Sequence, residues 1–182
     1  MKVSIKENVY IYFVIILFLI PFQWLFAWLI AVCIHEFSHW LSVRLLGGKV
    51  YSLEIGMAGA NMVCETLSKP KQILSVLSGP IGGFIIVLTG TRFPRLALCS
   101  WVLSVYNLLP LLPLDGGRAL QILMNAHPSF HTIEKITLIV LFLCALYLAI
   151  PLQLGLFPLI ILALLWLKNR KKPCKEWVYK VQ

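Results

Sequence analysis

The sequence predicts an all-α polytopic membrane protein of about six transmembrane helices, with a short β-hairpin-like loop after the second. Three observations predict it. The chain is 60% hydrophobic and only 13% charged, with a mean hydropathy of +0.88, a combination that points to the bilayer. Several apolar runs are long enough to cross the hydrocarbon layer, which needs roughly 20 helical residues for about 30 Å. No internal repeat, soluble domain or low-complexity linker interrupts them, so the 182 residues read as a single membrane-embedded domain, 1–182.

The run from Val9 to Leu46 is too long to cross once, because its 38 residues would make a helix of about 57 Å. Pro21 is the natural break, giving a first segment near 9 to 21 and a second near 23 to 46. Gly47 and Gly48 stop the second. Residues 49 to 66, KVYSLEIGMAGANMVCET, carry β-branched and aromatic residues broken by glycines and predict a hairpin at the membrane surface. A third span follows from about Gln72 to Gly90 and contains SGPIGG at 78 to 83, small residues that let helices approach closely. The fourth, about Leu96 to Leu114, ends in NLLPLLPLDGGRAL. The fifth and sixth, about Ile133 to Ile150 and Leu152 to Leu167, are separated by little more than Pro151 and predict a tight hairpin.

Net charge is +9, yet six of the sixteen basic residues (Lys168, Arg170, Lys171, Lys172, Lys175, Lys180) fall in the tail 168–182. A basic tail beside a membrane explains them better than a nucleic-acid surface, and no nucleic acid is expected as a partner. With six spans both termini share a side, and Lys2, Lys6 and the tail put that side in the cytoplasm. Arg44, Lys49, Lys69 and Lys71 after the second span agree, as do Arg118 and Lys135 after the fourth; Arg92 and Arg95 do not. The N-terminus shows no small-residue cleavage site and is read as an anchor. The five cysteines, Cys33, Cys64, Cys99, Cys144 and Cys174, form no C-x-x-C pair and read as small apolar residues.

Against this background CIHEFSHWL, residues 33 to 41, stands out, because three ionisable groups within five residues are expensive inside a bilayer. In a helix His35 and His39 share a face, about 5 to 6 Å apart at Cβ, so both imidazoles can reach one metal ion. Zinc suits such ligands, and a hydrolytic zinc site keeps three protein ligands and an open position. Glu36, beside them, can take a proton from water and later deliver it to a leaving amine. The bland alternative, a polar helix–helix contact, leaves the cost of burying three ionisable groups uncompensated.

A third ligand must come from elsewhere. Asp115 is the one aspartate among seven acidic residues, and Gly116 and Gly117 after it let the backbone bend and turn the carboxylate inward. His39 lies about seven residues before the end of its span, so both halves of the site fall in the cytoplasmic half of the membrane. Asn107, eight residues before Asp115, can bond a backbone carbonyl freed near Pro110 and Pro113. His127 and His131 repeat the spacing of four, but Pro128 lies between them and no glutamate follows the first, which predicts solvated side chains. Arg118 is expected to reach toward lipid headgroups, and Gly79 and Pro80 to serve packing and a kink.

HEFSH, SGPIGG and NLLPLLPLDGG, in that order on three membrane segments, resemble the site-2 protease family of intramembrane zinc metalloproteases. The resemblance covers a catalytic core of about residues 23–125. It implies that His35, His39 and Asp115 bind Zn2+, that Glu36 is the general base, and that Asn107 helps position the substrate. Six spans without a PDZ insertion look most like the sporulation branch, whose members process a pro-sigma factor, although the CBS domain of that branch has no counterpart in this sequence. The resemblance thus implies regulated intramembrane proteolysis in a bacterial cytoplasmic membrane, with a membrane protein as substrate, the lipid bilayer as surroundings and a regulatory membrane partner. Two rival readings are a metal-ion transporter, against which the chain shows no second set of intramembrane acids, and a catalytically inactive membrane scaffold, for which Glu36 would be needless.

Overall fold

The computed structural model describes residues 2–5, 21–56, 59–65, 67–125 and 127–152. Except for Pro21 and Leu152, the first and sixth expected spans lie outside the described residues, as does the basic tail. In chain order the described elements are β1 (Lys2–Ile5), α1 (Phe22–Leu45), β2 (Val50–Gly56), β3 (Gly59–Cys64), α2 (Lys69–Val87), α3 (Pro94–Asn107), α4 (Asp115–Leu123) and α5 (Ser129–Leu152).

Helix α1 starts directly after Pro21, whose fixed φ suits a helix entrance, and ends where Gly47 takes a positive φ of 87°. Its 24 residues span about 36 Å. Among the described residues α1 and α2 are long and apolar enough to cross a membrane. Ala27, Ala31, His35, His39 and Val43 recur every fourth residue and form one inward stripe, while Trp24, Phe26, Phe37 and Leu41 remain exposed. That apolar exterior suits lipid.

Helix α2 runs back beside α1, as Lys71 Nζ donating to the Leu46 carbonyl at 3.0 Å shows. Its buried positions are Ser75, Val76, Gly79, Pro80 and Gly83. In hydrocarbon, apolar burial alone gives little drive to associate, so a seam of small residues that brings backbones together supplies the packing. Helix α3 adds Cys99 and Leu103 to a small core with Ala27 and Ala31. Phe22 and Phe26 share a groove with Arg92 and Arg95, which places the α2–α3 turn at the end of α1 opposite Arg44.

Four expectations change. The hairpin expected at 49 to 66 is part of a three-stranded sheet in the order β1-β2-β3: β2 pairs antiparallel with β3, and β1 pairs parallel with β2, Lys2 opposite Ser52 through Ile5 opposite Ile55. The fourth span does not continue to Leu114. Helix α3 stops at Asn107, because Pro110 and Pro113 lack the N–H that a helix needs, and Asp115 opens a separate helix, α4. Helix α3 has 14 residues, about 21 Å, short of the hydrocarbon thickness by itself. Finally, α5 begins earlier than expected and runs through Pro151 to Leu152, where a turn was expected.

Candidate metal centre

Three residues on two helices, His35 and His39 of α1 and Asp115 of α4, bring one donor atom each to a common point. His35 Nε2 lies 3.1 Å from Asp115 Oδ2, His39 Nε2 lies 3.2 Å from the same oxygen, and the two Nε2 atoms are 3.2 Å apart. His35 and Asp115 are buried, only 4% and 5% exposed, and His39 is partly buried. The rings of the histidines meet edge to face with centroids 4.8 Å apart.

The tautomer of His39 decides what this triangle can be. His39 Nδ1 lies 2.8 Å from the Ser75 carbonyl, which can only accept, so Nδ1 carries the proton and the neutral ring presents a lone pair at Nε2. That lone pair faces the carboxylate oxygen and the other imidazole. Acceptors converging in a buried site repel unless a cation lies among them. Ligands about 2.0–2.1 Å from one tetrahedral ion would stand ~3.3 Å apart, close to the edges observed, and two imidazoles with a carboxylate are a donor set that zinc accepts. The residues therefore fit a metal ion. Among the described residues His35 Nδ1 has no hydrogen-bond partner, so the outward support found at His39 is not repeated there.

Local structure explains the placement. The helical period puts His35 and His39 on one face of α1. Gly79 of α2 lies against them so closely that a β-carbon there would overlap His39 Nε2 and crowd His35 Cε1. Asp115 is the first residue of α4, and Gly116 and Gly117 let that first turn rest on the backbone from Leu108 to Leu112, where a β-carbon would overlap carbonyl groups. Arg118 Nη1 stands 3.9 Å from Asp115 Oδ1, the oxygen turned away from the histidines. Its side chain is 14% exposed, so it pairs with Asp115 instead of reaching for headgroups.

The other candidates are placed as follows. Glu36 adjoins His35 on α1 and is partly buried. Asn107 ends α3, and its Nδ2 donates to the Leu103 carbonyl at 3.0 Å. His127 Nδ1 accepts from the Ser129 N–H at 3.2 Å, and exposed His131 stands 3.5 Å from Glu134, so this pair is taken up locally. Burial raises the pKa of the Cys64 thiol, in β3, above its ordinary value. Sequence reasoning missed Ser75, whose contribution is a carbonyl and carries no side-chain signal, and it gave Gly79 a packing role without seeing that the partners are the two imidazoles.

Comparison with known proteins bears on the same residues. Residues 68–148 match the profile of peptidase family M50, a stretch that includes Gly79, Asn107 and Asp115 and stops short of the two histidines. Over 121 residues the chain is 25% identical to a zinc metalloprotease of Methanocaldococcus jannaschii, covering 59% of this chain and 36% of that protein. The chain thus spans about a third of that relative's length. In three dimensions it is similar to the site-2 protease from the same organism, with a TM-score of 0.64 and 18% identity over 95% of this chain and 93% of the other, a likeness of fold. Residues 68–148 are thus similar to peptidase family M50, and the fold is similar to that of a site-2 protease.

Proposed function

We propose that the protein is an intramembrane zinc endopeptidase of the site-2 type that hydrolyses peptide bonds of transmembrane or membrane-associated proteins. The observation that carries this reading is the triangle of His35 Nε2, His39 Nε2 and Asp115 Oδ2, with edges of 3.1 to 3.2 Å, formed partly by a helix apolar enough to span.

In this reading His35, His39 and Asp115 hold Zn2+. When bound, zinc supplies positive charge that polarises the scissile carbonyl and makes water more acidic. Glu36 accepts a proton from the attacking water as its oxygen bonds to the carbonyl carbon. It then gives that proton to the amide nitrogen as the C–N bond breaks, leaving a carboxyl and an amine. The substrate must unwind, because a helix keeps its carbonyls in hydrogen bonds. Among the described residues β3 is an edge strand, with which an extended substrate can pair, and Asn107, eight residues before Asp115, orients it.

The finer reading places both termini in the cytoplasm, six spans in a bacterial cytoplasmic membrane, a regulatory membrane partner, and processing of a pro-sigma factor in sporulation as the task. Positive charge near Lys2, Lys6 and the tail supports the orientation. The sporulation task rests on the resemblance of the expected six-span plan to that branch.

The test is cleavage of a co-expressed panel of membrane-tethered proteins, a pro-sigma factor among them, with zinc measured on each purified variant. Glu36→Gln is expected to keep zinc and lose cleavage, and Asp115→Ala to lose both. Deleting 49–66 is expected to abolish cleavage with zinc still bound. A native protein that binds no zinc would sink the site; zinc uptake into vesicles, or zinc bound with no cleavage of any panel member, would favour a transporter or an inactive scaffold.

A further inference from the structure

The loop between α3 and α4 has an unusual hydrogen-bond balance. Between Leu108 and Leu114, Pro110 and Pro113 have no N–H, which leaves five donors. Four are met locally: Leu108 N by Ser104 O at 3.1 Å, Leu109 N by Tyr106 O at 3.2 Å, Leu111 N by Leu109 O and Leu114 N by Leu111 O, both at 2.8 Å. The fifth, Leu112 N, reaches out of the loop to Glu134 Oε1 of α5 at 3.2 Å. Glu134 is only 13% exposed, and a carboxylate in such surroundings is costly unless its hydrogen bonds return the loss.

That loop is the seat of the candidate ligand. The first turn of α4 rests on it through Gly116 against Leu108 and Gly117 against Leu111 and Leu112, and Asp115 opens that turn. A shift of the Leu112 peptide is therefore a shift of the surface that fixes Asp115 opposite His35 and His39. We infer that Glu134 is a positioning residue: by accepting the Leu112 N–H it clamps the α3–α4 loop and sets Asp115 at the metal-binding distance. The inference rests on reading Asp115 as a metal ligand. It also makes α5 part of the site's support although α5 supplies no ligand.

The experiment uses the full chain in detergent, with Glu134→Ala, Glu134→Gln and, as a control for the ion pair at 3.5 Å, His131→Ala. Amide hydrogen exchange of residues 108–114 is measured, together with zinc affinity by chelator competition and the visible spectrum of the cobalt-loaded protein. Glu134→Ala is expected to speed exchange in the loop, weaken zinc binding about 10- to 100-fold, as loss of a ligand-supporting contact does, and alter the cobalt bands. Glu134→Gln, whose amide oxygen can still accept from Leu112, is expected to restore all three to within a few-fold of the native protein. His131→Ala is expected to change none of them. Unchanged exchange and affinity in Glu134→Ala would overturn the inference, and so would a Glu134→Gln protein no better than the alanine variant. Because loop exchange needs no metal, a native protein that fails to bind zinc would count against the metal reading while the clamp is still decided by exchange.

Discussion

His39 Nδ1 donates to the Ser75 carbonyl at 2.8 Å, and that one bond turns the lone pair of Nε2 toward Asp115. Such a backbone acceptor, which no side-chain substitution removes, fixes both the tautomer and the plane of a ligating ring. Helix α2 thus orients His39 of α1 without adding a donor atom to the triangle.

The first prediction concerns the contact beside that bond. Gly79→Ala would place a methyl group where His39 Nε2 now lies, so the ring must rotate or α2 must move away. Overpacking of this kind costs about 1–3 kcal/mol. Zinc content per purified chain should fall well below that of native protein, and peptide cleavage with it. Native zinc content in Gly79→Ala would show that the helices do not approach this closely.

Metal removal should be visible as lost stability. A ligand present at 100 times its dissociation constant stabilises the folded state by about 2.7 kcal/mol. Native protein in detergent should therefore unfold at a lower temperature after chelation and recover on adding zinc, whereas His39→Ala should show no zinc-dependent shift. A shift of equal size in that variant would assign the ion to other residues.

Arg118 holds the outer oxygen of Asp115 at 3.9 Å, so its removal should loosen the carboxylate without deleting a ligand. Arg118→Gln is expected to lower zinc affinity several-fold, less than Asp115→Ala, in a competition titration. An affinity equal to the native value would make the ion pair incidental.

For Asn107 the separation of roles is the measurement. Asn107→Ala should leave zinc content unchanged, since its side chain bonds the Leu103 carbonyl and is no ligand, while kcat/KM falls by about tenfold or more if substrate is oriented there. Cleavage at the native rate would return this residue to a purely local role at the end of α3.

The legible part of the structure was whatever a short period or a breaker encodes. Pro21 and Gly47 bounded α1 to within a residue, and the spacing of four made His35 and His39 a pair before any fold was known. Asp115 could be singled out by scarcity, as the one aspartate of the chain. Less legible were the effects of partners distant in sequence. KVSI carries no strand signal until β2 lies beside it, and the apolar character of Leu108 to Leu114 hid the stop that its two prolines impose. Ser75 contributes through its backbone, and Glu134 through an N–H made needy by prolines of another segment, so neither was visible in its own neighbourhood.

The separation of the ligands along the chain also orders biogenesis. His35 and Asp115 are 80 residues apart, and His39 and Asp115 are 76 apart. During synthesis, which proceeds from the N-terminus, α1 enters the bilayer with both imidazoles before the aspartate exists. In the proposed reading, metal loading is thus a late event that waits for α2 to dock and α4 to arrive, and the hydrolytic site stays incomplete until Asp115 has been made.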